Sequence, residues 1–126
     1  MKFAKFVFVI AGVWGVLVLT PLYFIFDRIG VQDPPPITHP GFYYGFAAVG
    51  LAWQVAFLVI GFSPARLRPM MIPAALEKFG YVATVLVLFQ QQRMKAPDLA
   101  FAVTDGVLGL LFLAAWFKTS REAQGY

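Results

Sequence analysis

Four long blocks of apolar residues follow one another along the chain, and short polar segments separate them. Each block has about 20 residues, the length that an α-helix needs to cross about 30 Å of hydrocarbon at about 1.5 Å per residue. The pattern predicts an all-α integral membrane protein, a single domain of 126 residues that forms a four-helix bundle. The predicted helices cover residues 6–26, 42–62, 70–89 and 98–117.

The polar segments predict how the helices are arranged. Because these segments are short, successive helices are expected to run up-down-up-down, and segment 63–69, SPARLRP, makes the second and third helices antiparallel neighbours. Lysine and arginine are enriched on the cytoplasmic side of spanning helices, which here predicts that both termini are cytoplasmic. The basic residues on that side are Lys2, Lys5, Arg66, Arg68, Lys118 and Arg121, and those on the other side are Arg28, Arg93 and Lys95.

The longest polar segment, residues 27–41, joins the first and second helices. Its consecutive prolines, Pro34–Pro36, favour an extended polyproline-like stretch that we expect to act as a spacer or a lid. His39 lies near its end, and Tyr43 and Tyr44 begin the second helix, where aromatic side chains suit the head-group boundary. We expect these three residues at the mouth of the bundle, with His39 either simply solvated or acting as a pH-sensitive group or ligand.

The composition supports the membrane class, since 60% of the residues are hydrophobic, 13% are charged and the mean hydropathy is +0.75. The N-terminal apolar run is longer than that of a typical signal peptide and lacks a small-residue cleavage site, so we predict a retained first helix. The net charge of +4 is scattered over the segments that flank the blocks. This distribution fits membrane orientation and does not favour nucleic-acid binding.

The residue content also excludes several chemistries. The chain has no cysteine, which excludes disulfides, thiolate metal sites, cysteine nucleophiles and covalent haem attachment. Its single histidine excludes bis-histidine haem ligation within one chain. There is no glycine-rich phosphate loop and no HExxH or GxSxG motif. We expect no metal site and no covalent cofactor, and no motif decides whether the protein is an enzyme.

Ionisable residues interrupt two of the apolar blocks. Glu77 and Lys78 are adjacent in the third predicted helix, and Asp105 lies in the fourth. A charge at the centre of a spanning helix costs about 2.5 to 3.5 kcal/mol on insertion scales, so these side chains should face the bundle interior. Gln54 is the polar member of one face of the second helix, and Tyr81 shares a stripe with Glu77.

The helical rise separates these groups into two depths below the cytoplasmic surface. An inner level at about 10 to 12 Å holds Glu77 and Gln54, and an outer level at about 18 to 21 Å holds Asp105 and Thr20, with Tyr81 or Thr84. Lys78 is expected either to bridge to a carboxylate or to extend to the cytoplasmic boundary.

Buried polarity of this kind has a structural and a functional interpretation. Hydrogen bonds between spanning helices average about 0.6 kcal/mol in one measured membrane protein, which does not readily compensate for a buried charge. We therefore interpret the interior as a site for a lipid-like or quinone-like molecule, linked to proton exchange and centred on Glu77, Lys78, Asp105, Gln54 and Tyr81.

Three alternatives stay open. The first is an accessory transmembrane subunit of a larger respiratory or photosynthetic complex, which the small size and 14 phenylalanines would suit. The second is an oligomeric transporter or channel protomer, and the third is an isomerase-like activity. The expected partners are membrane lipids and either a larger membrane complex or further copies of the chain, without nucleic acid.

Several segments carry a family resemblance. HPGFYYGF, AWQ and PARLRPMMIPAALEKFGY, followed by an aspartate in the last helix, resemble small four-helix bacterial membrane proteins grouped with the DoxX-like families. The resemblance covers residues 39–116 and implies a compact bundle in the bacterial inner membrane. Some DoxX relatives are associated with quinone-linked sulfur oxidation, but this chain has no cysteine to carry a sulfur intermediate. A more distant similarity is to the four-helix isomerase-like family of emopamil-binding protein, which acts on sterols through polar residues inside its bundle.

Overall fold

The computed structural model describes the backbone of residues 2–123 and the side chains of residues 2–119. Within this range the chain forms helices, turns and bends, with no β-strand. The α-helices, numbered α1 to α5, cover Lys2–Leu19, Phe26–Gln32, Pro40–Phe62, Met71–Gln90 and Leu99–Ala123. Short 3-10 helices cover Thr20–Tyr23, Arg68–Met70 and Ala96–Asp98.

In the described part of the chain, 4 helical segments are long and apolar enough to cross a membrane. Their mean hydropathy lies between 1.6 and 2.2 over the most apolar window. The predicted all-helical class and the predicted number of spans are therefore confirmed. The segments, which include the adjoining 3-10 turns, are Lys2–Tyr23, Pro40–Phe62, Arg68–Gln90 and Ala96–Thr119.

The first span ends differently from its prediction. Regular α-helix stops at Leu19, well before the predicted end at residue 26. Pro21 has no backbone N–H with which to continue the α-helical ladder, so the chain tightens into the turn Thr20–Tyr23. The Phe24 N–H closes this turn by donating to the Pro21 carbonyl at 2.9 Å.

The polar segment after the first span contains a helix that the sequence did not predict. Residues Phe26–Gln32 form α2, and the non-helical spacer begins only after it, at Asp33. Ile25 and Ile29 line the interior cavity of the bundle, so α2 is held by burial of its apolar side. The spacer is therefore shorter than the predicted residues 27–41.

α1 and α5 are the two inner helices of the bundle. α1 packs against both α3 and α5, while α4 packs mainly against α5. Small residues allow α1 and α3 to approach closely: a Cβ on Gly61 would lie 3.1 Å from the Val9 backbone nitrogen, and one on Gly50 would lie 2.8 Å from Leu19 Cδ1. These contacts pair rising residue numbers in α1 with falling numbers in α3, so the two helices run in opposite directions.

α3 and α4 are separated by a gap. The short segment 63–69 predicted that they are neighbours, but they touch at few points. α4 packs against α5 instead, with Phe79 close to Gly109 and with Arg68 stacked on Trp116 at 3.8 Å. Residues from both α3 and α4 line the interior cavity, which occupies this gap.

Three phenylalanines form a buried aromatic layer at the centre of the bundle. The side chains of Phe8, Phe57 and Phe112 are fully buried, and the Phe8 and Phe112 rings stack with centroids 4.2 Å apart. Phe57 meets Phe112 edge-on at 4.9 Å. Phe57 follows Gln54 by about one helical turn, and Phe112 follows Asp105 by about two turns. The aromatic layer therefore lies between these polar groups and the end of the bundle that holds both chain termini.

Candidate functional site

The main interior cavity has a volume of about 410 Å³. Every α-helix and the turn after α1 contribute to its walls, which are mainly apolar. All the residues that the sequence pointed to as ligand-binding or proton-linked line this one cavity: Gln54, Glu77, Lys78, Tyr81 and Asp105. The fold thus brings together polar side chains from α3, α4 and α5.

Lys78 is the centre of the polar cluster. Its ammonium Nζ lies 3.4 Å from Asp105 Oδ1 and 3.5 Å from Glu77 Oε2. Lys78 is only 4% exposed and lies one residue from residue 79, the midpoint of the span Arg68–Gln90. The ammonium therefore does not extend to the boundary but bridges two carboxylates at the middle of the span.

This cluster replaces the two predicted polar levels. Glu77 and Asp105 share one ammonium, whereas the predicted depths placed them about 8 Å apart. The depths assumed that the fourth helix ends at residue 117, but α5 continues to Ala123, so the helix ends do not mark one common plane. Thr20 is exposed, and the exposed Thr84 hydroxyl donates to the carbonyl of Gly80 on its own helix at 2.9 Å, so neither joins the cluster.

Gln54 presents an unpaired acceptor in this cavity. The side chain is 2% exposed, and its Nε2 donates to the Gly50 carbonyl at 2.9 Å. Its Oε1 has no hydrogen-bond partner within the described residues. The amide fits because Gly15 has no side chain, since a Cβ on Gly15 would overlap Gln54 Oε1.

Glu77 contributes a second buried acceptor, which is ion-paired but not hydrogen-bonded. Its Oε2 is buried and lies within ion-pairing distance of Lys78, yet no described group donates a hydrogen bond to it. A buried polar atom without a partner costs about 1 to 3 kcal/mol. Gln54 Oε1, which has no partner within the described residues, and Glu77 Oε2, which is held only by charge, mark a place where a proton, water or ligand donor would be stabilised.

The apolar part of the cavity extends from the cluster towards α2. Phe46 lies eight residues before Gln54 on α3, which corresponds to about 12 Å along the helix. Leu22 and Ile29 line the same region. Phe46 is 53% exposed and Phe101 is 52% exposed although both line the cavity, so the cavity borders the outer surface of the bundle.

The residues predicted at the mouth do not line this cavity. The Tyr43 hydroxyl donates to the Leu22 carbonyl at 2.6 Å, and the Tyr44 ring stacks on Phe26 with centroids 5.5 Å apart. His39 is exposed and meets Phe42 edge-on at 5.5 Å. The two tyrosines therefore pack against the turn after α1 and the start of α2, and residues of both segments line the cavity.

Sequence reasoning missed the apolar lining of the site. Trp14, Phe46, Phe101 and the isoleucines of the α2 region carried no signal that separated them from other apolar residues. Gly15 is an exception, because it lies three residues after Gly12, and this spacing of glycines is typical of a thin helix face that packs closely. Its specific partner, the Gln54 amide, follows only from the three-dimensional packing.

Within the described residues, no cluster of three or more histidine, cysteine, aspartate or glutamate side chains could hold a metal ion. No protein-family model, no curated protein and no solved structure matches the chain. A functional interpretation therefore depends on the geometry of the cavity.

Proposed function

We propose that this protein binds a lipid-like or quinone-like amphiphile in its interior cavity, with proton exchange at the polar cluster. The observation that carries the proposal is a pair of buried atoms that accept no hydrogen bond within the described residues, Gln54 Oε1 and the ion-paired Glu77 Oε2, in the wall of a largely apolar cavity at the middle of the spans. A polar head group would satisfy these atoms, and the apolar walls would accept the rest of the molecule.

The size of the cavity fits a ligand. Ligand sites generally occupy about 300 to 1,000 Å³, and an engineered apolar cavity of about 150 Å³ holds benzene. A volume of about 410 Å³ has room for a ring-sized head group and the first part of a tail. The half-exposed rings of Phe46 and Phe101 would let the tail continue into the surrounding lipid.

The charge of the cluster supports proton exchange. With all groups ionised, Glu77, Lys78 and Asp105 carry one net negative charge at the middle of the membrane. An uncompensated charge is costly there, so one carboxylate would take up a proton when the cavity is empty. Ligand donors that approach the carboxylates would compete with that proton.

The membrane setting belongs to the same proposal. We place the protein in the bacterial inner membrane, with its spans running up-down-up-down and both termini in the cytoplasm. The excess of Lys and Arg on the side of the termini supports this orientation. It puts α2 and the apolar end of the cavity on the non-cytoplasmic side.

A matched pair of substitutions on α1 tests the proposal. Val18→Phe places a ring in the cavity, whereas Leu17→Phe adds the same ring at a neighbouring position that is 68% exposed. The three proteins are extracted in native-lipid nanodiscs, and the small molecules retained per chain are identified by mass spectrometry. We expect one amphiphile enriched with wild type and Leu17→Phe and lost with Val18→Phe.

Retention of the same molecules by all three proteins would contradict the proposal. A specific partner protein that co-purifies with wild type, with no enriched small molecule, would favour the accessory-subunit alternative.

A further inference from the structure

The polar end of the cavity has a definite hydrogen-bonding polarity, which begins with the orientation of the Gln54 amide. A backbone carbonyl only accepts hydrogen bonds, so the amide atom that faces the Gly50 carbonyl at 2.9 Å must be the NH₂ nitrogen. The other amide atom is therefore the oxygen. It is an acceptor on a residue that is 2% exposed, and it lies over Gly15 in the cavity wall.

The ammonium of Lys78 does not change this polarity. Its Nζ donates to Asp105 Oδ1, lies 3.5 Å from Glu77 Oε2 and faces the Phe57 ring at 5.1 Å from the ring centroid. Asp105 accepts its hydrogen bond, Glu77 attracts it by charge, and the lysine side chain is only 5% exposed, so the ammonium is engaged mainly by the two carboxylates. Tyr81 also lines the cavity, and its hydroxyl can accept as well as donate.

The net charge of the cluster also disfavours one class of head group, the anionic ones. Two carboxylates share one ammonium, so the cluster has no spare positive charge even when one carboxylate is protonated, and an anionic head group would bring an uncompensated negative charge into a site of low dielectric constant. A neutral or positively charged donor meets no such repulsion. Hydrogen-bond polarity and charge therefore favour the same head groups.

We propose that the cavity selects amphiphiles whose head group donates hydrogen bonds, a hydroxyl or an amine, over head groups that only accept or that are anionic. For a quinone-like ligand, the selected form is the hydroxyl-bearing quinol. This inference rests on the proposed function, because it specifies the head group of the molecule bound there.

A series of probes with one common tail tests the selection. Dodecanol, dodecylamine, dodecyl methyl ether and dodecanoate are each titrated into the full-length protein in nanodiscs, and native mass spectrometry measures occupancy. We expect dodecanol and dodecylamine to bind roughly 10- to 100-fold more tightly than the ether, as for a donor that satisfies a buried unpaired acceptor. Dodecanoate should bind most weakly.

Two variants assign the preference to the site. Gln54→Met keeps an unbranched side chain without the acceptor oxygen, and it should reduce the preference for dodecanol over the ether to a few-fold. Thr119→Val is the control, because the Thr119 hydroxyl is also buried and has no hydrogen-bond partner among the described residues, but it does not line the cavity. It should leave the preference unchanged.

The outcomes separate the two proposals. If the ether or dodecanoate binds wild type as tightly as dodecanol, the donor rule is overturned while the binding function stands. If none of the probes binds, both are overturned. An unchanged preference in folded Gln54→Met would overturn the assignment to Gln54, and the probe series in wild type decides the rule even if that variant does not fold.

Discussion

The substitution Lys78→Met tests whether one buried ammonium is what allows two carboxylates to coexist at mid-membrane. Methionine keeps an unbranched, flexible side chain and removes the charge. In the structure, the ammonium lies 3.4 Å from Asp105 and 3.5 Å from Glu77. At an effective dielectric constant of about 20, each contact corresponds to an attraction of about 5 kcal/mol before desolvation is counted.

The net loss is smaller than the sum of these attractions. Desolvation of the ammonium already offsets part of them, and the carboxylates can take up protons once the ammonium is gone. Removal of one partner from a buried ion pair typically costs about 3 to 5 kcal/mol. We expect the free energy of unfolding of Lys78→Met to fall by about 3 kcal/mol or more.

Equilibrium unfolding in mixed micelles measures this change, with sodium dodecyl sulfate as denaturant and tryptophan fluorescence as readout. Lys95→Met is the matched control, because Lys95 pairs with Asp33 at 3.7 Å while both side chains are more than half exposed. An exposed pair of this kind contributes about 1 kcal/mol or less. The control should therefore unfold close to wild type.

A triple variant, Glu77→Gln with Lys78→Met and Asp105→Asn, separates charge from packing. Replacement of a whole buried ionic group by neutral residues is often neutral or stabilising, so the triple variant should recover most of the lost stability. The reasoning is refuted if Lys78→Met alone stays within about 1 kcal/mol of wild type. A triple variant as unstable as the single one would show that the loss comes from packing.

Three further substitutions test other parts of the structure. Gly15→Ala places a Cβ where the Gln54 amide now lies, and we expect roughly tenfold weaker retention of the ligand in the nanodisc assay. Phe112→Ala removes a fully buried ring of the aromatic layer and should lower the free energy of unfolding in mixed micelles by about 3 to 5 kcal/mol. Arg68→Lys keeps the charge but loses the planar stacking on Trp116 and the Nε donation to its carbonyl at 3.0 Å, which should cost about 1 to 2 kcal/mol in the same assay.

Each of these changes has a control elsewhere in the chain. A Cβ on Gly41 would have no other atom within 4 Å, so Gly41→Ala should retain the ligand as wild type does. Phe117→Ala truncates a ring that is 62% exposed, and Arg66→Lys alters an exposed arginine, so these controls should affect stability less than Phe112→Ala and Arg68→Lys do. Equal effects in a variant and its control would contradict the role that the structure gives to the buried residue.

The sequence predicted the spans well because length and apolarity are sufficient to identify them. Blocks of about 20 apolar residues have few alternatives to a spanning helix. α2 was missed because Phe26–Gln32 is short, includes a glycine and precedes consecutive prolines, so its local pattern is that of a loop. Its apolar side faces the bundle, where Ile29 lines the interior cavity, and this tertiary contact has no signal in the local sequence.

The polar side of the site was predictable, whereas its apolar side was not. Glu77, Lys78 and Asp105 were expected to face the interior because a lipid-exposed charge is costly, but the predicted depths kept Glu77 and Asp105 on separate levels. Lipid-facing and interior positions of a spanning helix are both apolar, so no periodicity marked Trp14 or Phe46 as cavity residues. The depth of each group also depended on helix ends, which sequence patterns locate only to within a few residues.

Native mass spectrometry of the wild-type protein, extracted gently from its own membrane, detects bound molecules and protein partners in one experiment, so it is the decisive test of ligand binding. We expect a monomer or homo-oligomer that carries one defined additional mass per chain, released as a neutral or cationic amphiphile on activation. A bare chain, or a discrete assembly with other proteins and no bound small molecule, would contradict the proposed function.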